Sequence, residues 1–234
     1  MSETPRLKAV LFDIDGTLVD SNYLHVDAWT RGIAEAGESA QAAHVHEGIG
    51  LDSGKLLERL FGERADSDAV QRAKELHSEH YAASAERLRR FDGVHELFRA
   101  VRERGLKVVL ASSAPQEELD MLLEVLDAGE LIDATTNSDD VETAKPEPDL
   151  ISVALQKAGV AAGEALMVGD TRWDVEAARR AGVDTIAVLT GGRGERELAD
   201  SGAIAVYADV AELLRRLDES PVGARLRSPA GNDR

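Results

Sequence analysis

Short apolar runs along the chain predict the strands of a buried sheet. Each run is four to six residues long, and four of them end at carboxylates, hydroxyls or glycines, which is typical of buried strands. The first run covers residues 7–12 and ends at Asp13. Later runs cover residues 108–111, 165–168, 185–189 and 204–207, with a weaker candidate at 132–136.

Helical periodicity lies between these runs. In 94–104, the apolar residues Val94, Leu97, Phe98 and Val101 share one helical face, and Gly105 ends the pattern. Similar patterns cover 115–126, 149–158 and 174–181. Strands that alternate with helices predict an α/β fold, a Rossmann-like parallel sheet with helices on both faces.

The stretch 22–90 breaks this alternation, because it holds helical patterns at 23–36, 53–61 and 68–88 and no convincing strand. We therefore expect an α/β core domain made of residues 1–20 and 91–220, and a small all-α cap domain at 21–90. Residues 221–234 are rich in Gly, Pro, Ser and charge, which predicts a disordered tail.

Composition narrows the possible classes of protein. The absence of cysteine excludes disulfides, thiolate metal sites and a cysteine nucleophile. No signal-peptide pattern or membrane-length apolar run is visible, which predicts a cytoplasmic protein without a membrane partner. The formal net charge of −17 argues against a nucleic-acid partner. No dimerising helix stands out, so we expect a monomer or a weak homo-oligomer.

Two carboxylates follow the first predicted strand, Asp13 and Asp15, with Gly16 next to them. Residues i and i+2 of an extended chain point to the same side, so both carboxylates can face one site. Such a pair suits a divalent cation, and a carboxylate can attack phosphorus. The alternative is an ordinary Asp-Gly turn after a strand.

Other predicted strands also end on polar residues. Asp170 and Asp174 follow one strand, where helix capping is the alternative explanation. Ser112 and Ser113 follow another, where a hydroxyl and backbone N–H groups could hold phosphate, or cap the next helix. Lys145 precedes a predicted helix and is either a cation of the site or a surface lysine. Ligands of open parallel sheets bind at the carboxyl ends of the strands, where these residues would meet.

Taken in order, these motifs resemble those of the haloacid dehalogenase superfamily. Within it, the chain is similar to the group that contains phosphoglycolate-phosphatase-like and β-phosphoglucomutase-like proteins. The four motifs are Asp13-x-Asp15-Gly16-Thr17, then Ser112, then Lys145 in Ala-Lys-Pro-Glu-Pro-Asp, and finally Gly169-Asp170 with Asp174.

The resemblance implies a phosphatase in which Asp13 is the nucleophile and Asp15 the acid/base. It implies Mg²⁺ bound by Asp13, the backbone carbonyl of Asp15, and Asp170, with Asp174 as an orienting residue. The substrate would be a small phosphorylated metabolite. It would be held by Thr17, Ser112, Ser113 and Lys145. A carboxylate at Asp15 favours phosphate chemistry, because the dehalogenases of the superfamily lack it.

The helical insertion resembles a type-one cap, which closes over the site and selects the substrate. Candidate specificity residues surround Gly48-Ile49-Gly50 and are His44, His46, Glu47, Gly50 and Lys55. The alternative is that His44 and His46 are exposed loop residues. A sugar-phosphate mutase that uses the same aspartyl-phosphate remains the second hypothesis. It is disfavoured because the expected Arg-containing cap segment is missing.

Overall fold

The computed structural model describes residues 5–140 and 145–227. The chain divides into two compact units, which are described separately. The core unit contains Met1–Val19 and Arg90–Arg234, and the helical unit is Asp20–Arg89.

The core unit is built on one parallel sheet, as the sequence predicts. Its strands are β1 Ala9–Phe12, β2 Lys107–Ala111, β3 Ala134–Thr136, β4 Ala165–Gly169, β5 Asp184–Val188 and β6 Ala205–Tyr207. The strand order is β3-β2-β1-β4-β5-β6. The register pairs Phe12 with both Leu110 and Val168, so β1 lies between β2 and β4 with their carboxyl ends level. The residues after these three strands are thereby brought to one edge.

The helical unit contains four helices. They are α1 Asn22–Glu35, α2 Ala42–Gly48, α3 Ser53–Phe61 and α4 Asp68–Ala82. Their apolar faces enclose a core of their own, which includes Trp29, Ile33, Leu57 and Val70. Helix α2 was missed by the sequence pattern, because its seven residues show too little apolar periodicity.

The helices of the core unit cover both faces of the sheet. They are α5 Val94–Glu103, α6 Gln116–Leu126, α7 Asp149–Ala158, α8 Arg172–Arg180, α9 Glu195–Ser201, α10 Val210–Arg215 and α11 Pro221–Arg227. Leu11 packs in one cluster with residues of α7 and α8, whereas the next residue, Phe12, contacts Phe98 of α5 at 5.1 Å between ring centroids. Successive strand residues point to opposite faces, so these contacts show helices on each side.

Helix α11 corrects the prediction of a disordered tail for residues 221–227. Val222 is buried, and Arg225 donates a hydrogen bond of 3.0 Å to the carbonyl oxygen of Ala165. Pro221 stands at the first helical position, where proline is favoured, so a composition rich in Pro and Gly misled the prediction. Residues 228–234 lie outside the described part of the chain.

None of the helices in the described ranges is both long and apolar enough to span a membrane.

Candidate active site

The loop after β1 holds Asp13 at the carboxyl edge of the sheet. The Asp13 N–H donates to the carbonyl oxygen of Val168 at 2.9 Å, which joins the loop to β4. Gly16 has φ 71°, in the left-handed region, and its N–H donates to the Val19 carbonyl oxygen at 2.8 Å. The chain thus turns sharply after the two carboxylates. Asp13 is buried and Asp15 is half-buried.

Lys145 is buried against two carboxylates, with only 1% of its surface exposed. Its Nζ lies 2.6 Å from Asp13 Oδ1 and 2.7 Å from Asp174 Oδ1. A buried charge is stable only when it is paired, and these two contacts pair it. The alternative of a surface lysine is therefore wrong.

Asp174 uses its two carboxylate oxygens for different purposes. Oδ2 accepts hydrogen bonds from the Thr171 N–H at 3.0 Å and from the Thr171 hydroxyl at 2.6 Å, which closes a capping box at the start of α8. Oδ1 faces Lys145. Capping therefore accounts for Oδ2 of Asp174 only, whereas Oδ1 belongs to the charged cluster.

Asp170 precedes α8 and is fully buried. Its Oδ1 accepts a hydrogen bond of 2.8 Å from the hydroxyl of Thr17, which is also 0% exposed. Thr17 is predicted to bind substrate, whereas in the structure its hydroxyl donates to the Asp170 carboxylate.

Three buried carboxylates, those of Asp13, Asp170 and Asp174, form a group that could hold a metal ion. Each offers one ligand oxygen, and these oxygens lie within 4.8 Å of one another. Lys145 supplies one positive charge against three carboxylates, which leaves an excess equal to the charge of one divalent cation. Carboxylate oxygens are the ligands that Mg²⁺ prefers, so the donor set fits it. The side chain of Asp15, whose backbone carbonyl was the predicted ligand, is not in this group.

The same charges shift the pKa values of the site. Burial raises the pKa of Asp13 well above its ordinary value, and the carboxylates of Asp174 and Asp170 raise it further, while Lys145 opposes them. Burial alone would lower the pKa of Lys145, but Asp13 and Asp174 outweigh it, so that pKa is raised. The two carboxylates therefore favour the charged form of Lys145, whereas its single positive charge does not offset the effect of burial and of the neighbouring carboxylates on Asp13.

Ser112 lies at the end of β2 and is buried. Its Oγ accepts a hydrogen bond from the Ala114 N–H at 3.1 Å, and its carbonyl oxygen accepts one from the Thr136 hydroxyl at 3.1 Å. Helix α6 has Pro115 at its N-cap with no side-chain cap, so Ser112 does not cap it. Because its Oγ serves as an acceptor here, the hydroxyl proton can be donated to another group. Ser113 is half-buried.

A family model matches residues 10–188, and its description is haloacid dehalogenase-like hydrolase. That match spans both units and every strand-end residue described above. The chain belongs to this family.

Named relatives of the hydrolase are phosphatases. The phosphoglycolate phosphatase of Rhodospirillum rubrum is 34% identical over 88% of this chain and 89% of its own length. The phosphorylated carbohydrates phosphatase of Thermotoga maritima is 29% identical over 86% of this chain and 94% of its own length. A hydrolase structure from Pseudomonas syringae has a TM-score of 0.85 at 32% identity, over 91% of this chain and 98% of that one. The chain is an enzyme, a phosphatase of the phosphoglycolate-phosphatase-like group.

Two contacts of the hydrolase site went unnoticed in the sequence. Thr190, after β5, donates a hydrogen bond to the carbonyl oxygen of Gly16 and so ties that loop to the loop after β1. The capping box between Thr171 and Asp174 is the second. Its Thr-x-x-Asp spacing is visible in the sequence and would have identified Thr171 as the capping partner of Asp174, but not the contact of Asp174 with Lys145.

The predicted specificity residues of the hydrolase lie in the helical unit, and the structure corrects their setting. His44, His46 and Glu47 belong to helix α2, so the description of the histidines as loop residues is wrong. His44 is exposed, whereas the ring of His46 stacks on Tyr23 with centroids 5.3 Å apart. Glu47 pairs with Arg59 at 3.0 Å.

The other two candidates follow this helix. Gly50 has φ 96°, and Lys55 is half-buried near the start of α3, where its N–H donates to Asp52 Oδ1 at 3.1 Å.

Proposed function

We propose that this phosphatase is a Mg²⁺-dependent phosphomonoesterase that works through an aspartyl-phosphate on Asp13. The observation that supports it best is the pairing of Asp13 with Lys145 inside a group of three buried carboxylates. A structural ion pair does not need two further buried acids beside it, whereas a metal-assisted phosphoryl transfer does.

In the first half-reaction, a carboxylate oxygen of Asp13 attacks phosphorus and the ester P–O bond breaks. The leaving alkoxide takes a proton from Asp15. In the second, the Asp15 carboxylate accepts a proton from water, whose oxygen attacks the phosphorus of the aspartyl-phosphate. Inorganic phosphate leaves, and the Asp13 carboxylate is restored.

The remaining residues position the phosphoryl group and balance its charge. Lys145 keeps its positive charge beside Asp13 and binds a phosphoryl oxygen, and Ser112 donates its free hydroxyl proton to another. Bound by Asp13 and Asp170, Mg²⁺ would draw charge from the phosphoryl oxygens and lower the repulsion between phosphate and carboxylates. Asp174 and Thr171 hold Lys145 in place.

Small phosphate monoesters are the proposed substrates. Relatives named for phosphoglycolate and for phosphorylated carbohydrates support this class. We propose that the helical unit acts as a substrate-selecting cap, with His44, His46, Glu47, Gly50 and Lys55 as first candidates. The cytoplasmic location, the absence of a nucleic-acid partner and the monomeric or weakly oligomeric state remain predictions.

The test compares wild type with Asp13→Asn on p-nitrophenyl phosphate and a panel of phosphoglycolate, sugar phosphates and nucleotides, with Mg²⁺ or with EDTA. We expect wild-type turnover only with Mg²⁺, and a loss of about 10⁴-fold or more in kcat for Asp13→Asn. Trapping of ³²P on wild type but not on the variant would identify the covalent step. Activity that survives in Asp13→Asn would overturn the assignment.

The mutase hypothesis requires the same residues, so the panel must separate the two reactions. Isomerisation of a sugar phosphate primed by a bisphosphate, faster than release of inorganic phosphate, would favour the mutase. Release of phosphate at the same rate with and without the primer supports the phosphatase.

A further inference from the structure

We infer that Thr17 is a positioning residue, whose hydroxyl fixes the orientation of the Asp170 carboxylate and thereby sets the affinity of the site for its divalent cation. The inference rests on the proposed function, since it gives Asp170 the task of a metal ligand. It replaces the expectation that Thr17 binds substrate.

The geometry of the contact is well defined. Thr17 Oγ1 donates to Asp170 Oδ1 at 2.8 Å across 153 residues of sequence, and neither side chain is exposed. Water does not compete for a hydrogen bond between two buried groups, so this proton stays directed at Asp170. A hydroxyl has one proton to donate, and here it is not directed at a phosphoryl oxygen.

Hydrogen bonds also fix the backbone around Thr17. The Thr17 N–H donates to the Ile14 carbonyl oxygen at 3.2 Å, and the N–H groups of Leu18 and Val19 donate to the same oxygen at 2.8 and 3.0 Å. Thr17 therefore belongs to a loop whose position is set by hydrogen bonds. A donor on a fixed loop restrains rotation of the carboxylate that it contacts.

The hydrogen bond from Thr17 therefore affects the arrangement of the three carboxylates to which Asp170 belongs. Asp170 must keep one oxygen near those of Asp13 and Asp174, which all lie within 4.8 Å of one another. A carboxylate that rotated freely would lose that arrangement for part of the time. Hydrogen bonds that orient metal ligands typically change metal affinity or activity by 10- to 100-fold.

The experiment compares Thr17→Val, which keeps the shape and removes the hydroxyl, with Thr17→Ser, which keeps the hydroxyl. Thr185→Val is the matched control, since Thr185 is also buried but its Oγ1 has no hydrogen-bond partner among the described residues. Binding of Mn²⁺ alone is measured by isothermal titration calorimetry on each full-length protein. The Mg²⁺ dependence of kcat with p-nitrophenyl phosphate is measured alongside.

We expect Thr17→Val to weaken Mn²⁺ binding by about 10- to 100-fold. Its half-saturating Mg²⁺ concentration should rise in parallel, while kcat at saturating Mg²⁺ falls less. Thr17→Ser should recover most of the affinity, and Thr185→Val should leave it unchanged. A role in packing alone predicts the opposite, since valine fills the space of threonine better than serine does.

Equal Mn²⁺ affinities for wild type and Thr17→Val would overturn the inference, as would a failure of Thr17→Ser to recover binding. If Thr17→Val does not fold, Thr17→Ser and Thr17→Ala decide it, because the affinity must follow the hydroxyl. A wild type that binds Mn²⁺ without hydrolysing any ester would overturn the proposed function but not the role of Thr17. A wild type that binds neither Mn²⁺ nor Mg²⁺ overturns both.

Discussion

The two units of the molecule handle buried ionisable groups in opposite ways. At the sheet edge of the core unit, the ionisable side chains of Asp13, Lys145, Asp170 and Asp174 are buried close to one another. In the helical unit, His77 is buried and stacks on Trp29 with ring centroids 4.1 Å apart. Its Nε2 lies 3.1 Å from Nδ1 of His25, and burial lowers its pKa well below the ordinary value.

The difference shows what each unit does with its charges. The core unit concentrates them, because parallel strand ends bring distant residues to one edge and a cation can offset the surplus. In the helical unit, a buried histidine is kept uncharged. Helices that pack on one another leave an apolar interior, in which the neutral form of histidine is favoured over the protonated form. Substitutions in the core unit should therefore change stability and activity, whereas substitutions at His77 should change the dependence of stability on pH.

The largest effect is expected from Lys145→Met, which removes the only positive charge described beside Asp13 and Asp174. Breaking a buried ion pair on one side leaves an uncompensated charge, so the free energy of unfolding should fall by about 3–5 kcal/mol without metal. Urea unfolding monitored by circular dichroism measures it. Phosphatase activity should fall as well.

The matched control is Lys157→Met, since Lys157 pairs with Asp140 at 2.6 Å but remains partly exposed. A surface pair contributes at most about 1 kcal/mol. Equal losses for the two variants would mean that burial of the pair at Lys145 has no energetic consequence.

A smaller effect is expected from Gly169→Ala, at the end of β4. A Cβ there would lie 2.6 Å from the Cβ of Asp174, closer than such atoms approach, so Asp174 must move. We expect a loss of about 1–3 kcal/mol in stability. A fall of about 10²-fold in kcat should accompany it, because small displacements of catalytic groups are costly.

For comparison, Gly129→Ala adds a Cβ that has no neighbour within 4 Å. That variant should differ from wild type by less than about 0.5 kcal/mol, with unchanged kcat. If Gly169→Ala behaves in the same way, the close packing of Gly169 on Asp174 is not important for the site.

The smallest effect concerns the pH dependence of the helical unit. Because the pKa of His77 is lowered on folding, the unfolded chain binds the proton more tightly, and stability is lost as pH falls below about 6.5. The slope reaches at most about 1.4 kcal/mol per pH unit from this one group. Unfolding followed by Trp29 fluorescence in a Trp173→Phe background measures it.

His77→Gln should flatten this slope between pH 7 and pH 5, whereas replacing the exposed His44 by glutamine should not. The neighbouring His25 and His80 also lower the pKa of His77, so their own variants should reduce the slope by less. A slope that survives in His77→Gln would place the titration elsewhere.

Prediction from the sequence succeeded where geometry leaves little choice. Residues after parallel strands must lie at one edge, so Asp13, Ser112 and Asp170 could be placed together before any contact was seen. The fold class could be predicted because apolar runs typical of strands alternate with helical patterns along the chain. The position of Lys145 could not be predicted in this way, because it lies in a loop that does not directly follow a predicted strand. Only its sequence motif indicated that it belongs to the site.

The remaining errors have physical causes. The proton of Thr17 could go to substrate or protein, and its sequence position does not tell which. The residues of α2 lack the apolar periodicity that identifies longer helices, so a loop was considered as the alternative for His44 and His46, which in fact lie in α2. The pairing of His25 with His77 depends on how α1 and α4 pack, and that packing has no sequence motif.

The path of the chain at Val19 and Arg90 has a consequence for evolution. These two residues form an antiparallel bridge, and Phe91 N–H donates to the Leu18 carbonyl oxygen at 2.9 Å. The intervening segment 20–89 thus leaves and returns at adjacent points. Segments with neighbouring ends can be lengthened, shortened or exchanged without disturbing the strands on either side. Recombination at this junction could therefore give one reaction centre many different attached modules.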